Sequence, residues 1–97
     1  LRRAAKVDAN QKEIVSALRV AGATVEHLHA VGKGCPDLLI GYKGFNYLIE
    51  VKDGTKTPSQ RRLTPDQVKW HANWFGQKIV IESVGSALSF IHEIDNR

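Results

Sequence analysis

The chain of 97 residues contains no methionine and a single cysteine. One cysteine excludes an internal disulfide and fits a reducing compartment. With no methionine in the chain, Leu1 is not expected to be the initiator, and a natural N-terminus upstream of it is the expectation. No apolar run approaches the roughly 20 residues of a membrane span. No basic, apolar and small-residue succession marks a secretory signal either, so a cytoplasmic, non-membrane protein is expected. Repeats, linkers and low-complexity tracts are also missing.

What is present is ordinary for a globular fold: 42% apolar and 25% charged residues, which predicts one domain over residues 1–97. A chain of this size buries one core, so a large binding surface needs a partner or a second copy. The net charge of +4 suits a polyanionic partner, although mild basicity for solubility alone accounts for it equally well.

Residues 1–7 form a basic lead-in carrying Arg2, Arg3 and Lys6. Asp8-Ala9-Asn10-Gln11 reads as a capping box, with Asp8 at the N-cap and Gln11 reaching back. The helix that follows carries Ile14, Ala17, Leu18 and Ala21 at helical spacing and stops at Gly22. A loosely alternating stretch from Ala23 to about Ala30 predicts a first strand, with Val25 in the core. Thr64-Pro65-Asp66-Gln67 is a strong helix start; that helix carries Val68, should pack Trp70, Trp74 and Phe75 on a sheet, and stops at Gly76. Lys78 to Val84 predicts a fourth strand, and Ser86 to Ile94 a closing helix. The order helix, three strands, helix, strand, helix is α/β.

The stretch from Gly34 to Lys52 organises the rest. Two short apolar strands flank a tight turn at Lys43-Gly44. With that turn, paired residues have numbers summing to 87, and Asp37 falls opposite Glu50, with Lys52 one step further on the face of Glu50. Leu38, Ile40, Tyr47, Ile49 and Val51 share the other face. Like charges directly opposed destabilise a sheet, and a divalent cation between them would remove the conflict. The bland alternative is a turn aspartate and an exposed Glu50–Lys52 ion pair worth under about 1 kcal/mol. It leaves two carboxylates facing each other in an apolar hairpin unexplained.

Pro36-Asp37, twelve residues, then Glu50-Val51-Lys52 resembles the motif of the PD-(D/E)XK nuclease superfamily. The Gly-x-Pro-Asp approach, the hairpin ending in Glu-Val-Lys and the later Thr-Pro-x-Gln helix resemble its VRR-NUC branch over roughly residues 8–92. The resemblance implies a restriction-endonuclease-like core of order αβββαβ, a mixed central sheet flanked by helices. It further implies a magnesium- or manganese-dependent endonuclease acting on DNA. Asp37, Glu50 and the Val51 backbone carbonyl would hold the metal, and Lys52 would orient or deprotonate water or steady the phosphate. Hard oxygen ligands fit these ions. No small-molecule cofactor is implied.

Gln67 occupies the place of a helix glutamine that approaches the site in related nucleases, while the capping box alone would also explain it. Relatives often supply a third acid from the first helix. Here Gln11 faces inward and Glu13 lies off-centre, so either is a candidate. His71, one turn beyond Gln67, could reach phosphate. Lys33, Lys56, Arg61, Arg62, Arg2 and Arg3 are candidate DNA contacts around the metal site. His27-x-His29 lacks partners for a zinc site, and Cys35 lacks a partner for a nucleophilic thiol. The stand-alone phage members of the branch resemble two-fold junction resolvases. That analogy implies a homodimer acting on branched DNA in a bacterial host. Two alternatives are a nicking or flap-cutting nuclease that needs a partner protein, and a catalytically weak nucleic-acid-binding module.

Overall fold

Alternation and turn chemistry set the hairpin, and the hairpin sets the sheet. In the computed structural model, which describes residues 7–97, β2 (Leu38–Tyr42) and β3 (Phe45–Val51) pair antiparallel. Their register runs from Leu38↔Ile49 to Tyr42↔Phe45, so every pair sums to 87. Lys43 and Gly44 both adopt positive φ, 49° and 84°, the double left-handed conformation that suits the twist of a two-residue hairpin. β1 (Thr24–His27) flanks β2 antiparallel, and β4 (Lys78–Ile81) lies parallel to β3. The order is β1-β2-β3-β4. The parallel step is bridged by α2 (Pro65–Asn73), as such a crossover requires.

α1 (Gln11–Val20) and α3 (Val84–Asp95) cover one sheet face. Ile14, Val15 and Leu18 from α1 meet Ala87, Phe90, Ile91 and Ile94 from α3 over Val25, Leu38, Ile40, Tyr47, Ile49, Val51 and Ile81. Tyr47 and Phe90 stack edge to face with centroids 5.1 Å apart. The result is an α/β fold with a four-stranded mixed sheet flanked by helices, of the restriction-endonuclease-like type. No helix among the described residues is long and apolar enough to cross a membrane.

Several boundaries differ from the sequence reading. α1 does not begin on an Asp8 capping box. Asn10 stands at the N-cap with no side-chain cap bond, and its amide instead donates to the carbonyls of Lys52 and Glu82, both at 3.0 Å. Tertiary anchoring has displaced local capping. β1 ends at His27, although Leu28 N–H still donates to the Asp37 carbonyl at 2.7 Å in the same register with β2. α2 starts as its Thr64-Pro65-Asp66-Gln67 box predicts but ends at Asn73, three residues before Gly76. β4 ends at Ile81, and α3 begins at Val84 because Ser83, not a later residue, caps it in a box with Ser86.

The packing predicted for α2 is corrected more strongly. None of its residues is fully buried, and Phe75 is 94% exposed instead of lying on the sheet. Trp70 and Trp74 stack on each other, 4.9 Å between centroids. They stand over Leu39 and Leu48 across a cavity of about 490 Å³. What holds α2 in place is its start, where Gly34 meets it. A Cβ at Gly34 would fall 2.3 Å from the Asp66 carbonyl oxygen and 2.8 Å from Gln67 N.

Candidate active site

Asp37 enters β2 behind the buried Pro36, and its backbone carbonyl is fixed by Leu28 N–H. One carboxylate oxygen, Oδ2, accepts from Val51 N–H at 2.7 Å. The carboxylate therefore reaches across the open end of the hairpin towards β3, on the extension of the 87-sum register that places it opposite Glu50. Asp37, Glu50 and Lys52 are 6%, 2% and 8% exposed. Three charged side chains buried together are costly unless each is paired or neutralised.

The Glu50 carboxyl shows that cost. Burial, together with a hydrogen bond to Asp37 and the Asp37 charge, pushes its pKa up to about 9, against a smaller lowering by Lys52. Asp8 adds to the rise. Without a cation, the buried Glu50 carboxyl keeps its proton at neutral pH. Glu50 Oε2 accepts from Gln67 Nε2 at 3.3 Å, while Oε1 is buried with no hydrogen-bond partner. An orphaned, buried carboxylate oxygen beside a second carboxylate is the donor set a hard divalent cation fits.

Lys52 is fixed at both ends. Its backbone N–H donates to the Ile81 carbonyl at 3.0 Å, and its Nζ donates to Gln67 Oε1 at 2.7 Å. The same Gln67 oxygen accepts from Thr64 N–H at 2.9 Å, and Thr64 Oγ1 accepts from Gln67 N–H. Gln67 thus closes the α2 capping box and bridges Lys52 to Glu50. The two roles left open by the sequence coexist in one side chain.

The remaining candidates separate. His71 is brought in: its Nε2 lies 3.9 Å from Glu50 Oε1, and burial followed by the Lys78 and Lys52 charges lowers its pKa. Gln11 is buried, 3.4 Å from His27 Nδ1 through its Nε2. Glu13 is exposed and lines a separate groove with Asp53, Arg61 and Glu82. Among the described residues no three His, Cys, Asp or Glu side chains form a ready-made metal cage. Arg61 pairs with Glu82 at 2.7 Å and also donates to the Lys56 carbonyl, so its guanidinium is committed within the protein. Lys33, Lys56 and Arg62 are exposed, and Arg2 and Arg3 lie outside the described residues.

Two contributors escaped the sequence reading. Asp8 does not cap α1, where Asn10 holds that position, and its charge acts on Glu50. Asn10 ties the start of α1 to the backbone of Lys52. A polar residue beside a capping box carries no local mark of such a distant bond.

No family model matches the chain, and no curated protein matches it. A solved structure described as a VRR_NUC domain is similar over 84% of this chain and 89% of its own, with 26% identity and a TM-score of 0.64. The shared fold extends over nearly the whole of both chains, and in this one the Asp37–Glu50–Lys52 hairpin stands at the end of the sheet, so the chain is similar in fold to a VRR-NUC domain.

Proposed function

We propose that the chain is a metal-dependent DNA endonuclease that hydrolyses phosphodiester bonds. The observation that carries this reading is the buried Asp37–Glu50 pair with its unpartnered Glu50 Oε1, beside a lysine steered by Gln67. Asp37, Glu50 and the Val51 carbonyl would hold magnesium or manganese. Such an ion supplies Lewis acidity and charge neutralisation at phosphate oxygens. The number of protein carboxylates suits an ion that keeps waters and takes substrate phosphate as further ligands.

The chain's own residues do the positioning. Val51 N–H fixes the Asp37 carboxylate, and Gln67 fixes both Glu50 Oε2 and Lys52 Nζ. Lys52 brings a positive charge to the edge of the carboxylate pair, where it can orient water and stabilise the phosphate as negative charge builds in the transition state. A divalent ion in place of the Glu50 proton would remove the electrostatic conflict in the hairpin. The expected products carry a 5′-phosphate and a 3′-hydroxyl.

The finer reading is a homodimer selective for branched DNA, acting in the cytoplasm of a bacterial host and encoded by a phage or prophage. It is supported by the resemblance of stand-alone members of the branch to two-fold resolvases and by the limited surface of one 97-residue unit. The test is cleavage of junction, flap, duplex and single-stranded DNA in magnesium, manganese or chelator, by the wild-type chain and Asp37→Ala. Junction cutting that needs metal and Asp37, by a particle of twice the chain mass, is expected. Cutting that survives chelator would overturn the metal site, and metal-independent binding without cutting would make the chain a binding module.

A further inference from the structure

We infer that His71 is a nitrogen ligand of the cation bound at Glu50, and that this imidazole makes manganese the preferred ion over magnesium. The inference rests on the metal-dependent reading above and assigns a ligand that the hairpin motif does not contain.

The geometry is a pair of orphaned atoms. Glu50 Oε1 and His71 Nε2 are both buried, both without a hydrogen-bond partner, and 3.9 Å apart. Their side chains are 3% and 12% exposed. The separation is too long for a hydrogen bond between them, and each is a buried polar atom left unsatisfied, which costs free energy. Two ligand atoms each about 2.1 Å from one ion stand no more than about 4.2 Å apart. At 3.9 Å the two atoms lie within the span of one shared ion, which would satisfy both.

Placement on α2 gives the same answer. His71 follows Gln67 by four residues, so the two side chains lie on one helix face, and Gln67 already bonds the other Glu50 oxygen. The contact of Gly34 with the start of α2 fixes that face over the site. Among the described residues Asp37, Glu50 and His71 do not form a finished cage, and it is the Glu50 Oε1–His71 Nε2 pair alone that supports a shared ion. A buried Nε2 directed at Glu50 is badly placed for a phosphate outside. Carboxylate and carbonyl oxygens suit magnesium and manganese alike, whereas an added nitrogen donor disfavours the harder magnesium relative to the transition ion manganese.

The test needs no DNA. The full chain is loaded with manganese and examined by pulsed electron paramagnetic resonance for a directly bound nitrogen, with 15N-histidine labelling to identify imidazole. Manganese and magnesium affinities are measured by calorimetry for wild type, His71→Leu, and His27→Asn and His29→Asn as controls. The expected result is a single imidazole coupling that persists in both controls and vanishes in His71→Leu. Manganese affinity should fall by about 10-fold or more and magnesium affinity by far less. Bound manganese without nitrogen coupling overturns the inference, as does a coupling that survives His71→Leu or an equal loss for both ions. If His71→Leu does not fold, the labelled wild-type spectrum still decides whether imidazole binds. Nitrogen coupling in a chain that cuts no DNA would sink the nuclease reading alone. Manganese-dependent cutting without nitrogen coupling would sink this inference alone.

Discussion

Lys52 Nζ donates to Gln67 Oε1 at 2.7 Å, joining the residue that follows β3, two beyond Glu50, to the first turn of the crossover helix. The same oxygen also accepts from Thr64 N–H. One side chain therefore couples the stability of a helix terminus to the position of a buried lysine, and the two effects can be separated by mutation.

Gln67→Leu should remove both. Cleavage should fall by at least tenfold, because Lys52 loses its acceptor and Glu50 Oε2 its donor. Thr64→Ala breaks the cap alone, at a cost of about 1 kcal/mol, and should leave cleavage near wild type at temperatures where the protein stays folded. Urea melts and initial rates on one substrate check the pair. Equal losses of rate in the two variants would show that Gln67 acts only through the helix.

The raised Glu50 pKa makes a pH prediction for the metal-free protein. Its folded value, about 9, lies above the ordinary 4.5, so the folded state holds a proton that the unfolded chain has released. The stability contributed by that proton is complete below about pH 4.5 and is lost as pH rises through the folded value. Between pH 7 and 9, where His71 is already neutral, the loss should reach about 2 kcal/mol. Urea denaturation in chelator should show this decline. Glu50→Gln should abolish it, and added magnesium or manganese should stabilise the wild type more at pH 9 than at pH 7. A flat wild-type profile over that range would contradict the raised Glu50 pKa.

Gly34 predicts a defect transmitted along the chain. It has φ +83°, and an added Cβ would meet backbone of Asp66 and Gln67, not a yielding side chain. Gly34→Ala should therefore destabilise by at least about 1–3 kcal/mol and also reduce cleavage, since α2 must shift and carry Gln67 with it. Gly44 is the internal control: its φ is +84°, but nothing lies within 4 Å of an added Cβ. Gly44→Ala should cost only the left-handed backbone penalty, roughly 1–2 kcal/mol, with the rate per folded molecule unchanged. Thermal melts with parallel rates distinguish the two.

What the sequence discloses and what it hides follow from the range of the interactions. The hairpin register was legible because turn chemistry and period-two alternation are local, and they placed Asp37 opposite Glu50 from numbers alone. The α2 start was legible for the same reason, since Thr64 to Gln67 form a self-contained box. The α1 start was not: Asn10 bonds carbonyls 42 and 72 residues away, and no local signal competes with that. The incomplete burial of α2 was hidden as well, because its aromatic spacing is equally satisfied by Trp70 stacking on Trp74. The cations read as one basic ring, yet Arg61 is held by Glu82, 21 residues on.

That distinction among the cations gives the last prediction. Arg62, Lys56 and Lys33 are exposed, and a phosphate contact by such a residue weakens binding to all sequences alike while releasing a counterion. Arg62→Ala should lower DNA affinity and reduce the slope of log K against log salt by about 1, with no measurable change in the urea midpoint. Arg61→Ala should do the reverse. It removes an ion pair that is about one-third exposed on each side, together with the bond to the Lys56 carbonyl. Solvent screening limits the loss of stability to about 1 kcal/mol or less, and the salt slope should hold. Binding isotherms at several salt concentrations with the metal-free Asp37→Ala chain isolate affinity from cleavage. If Arg61→Ala shifts the slope as much as Arg62→Ala, then the Arg61–Glu82 pair opens on DNA, and the loop after Lys52 is a binding element and not a strut.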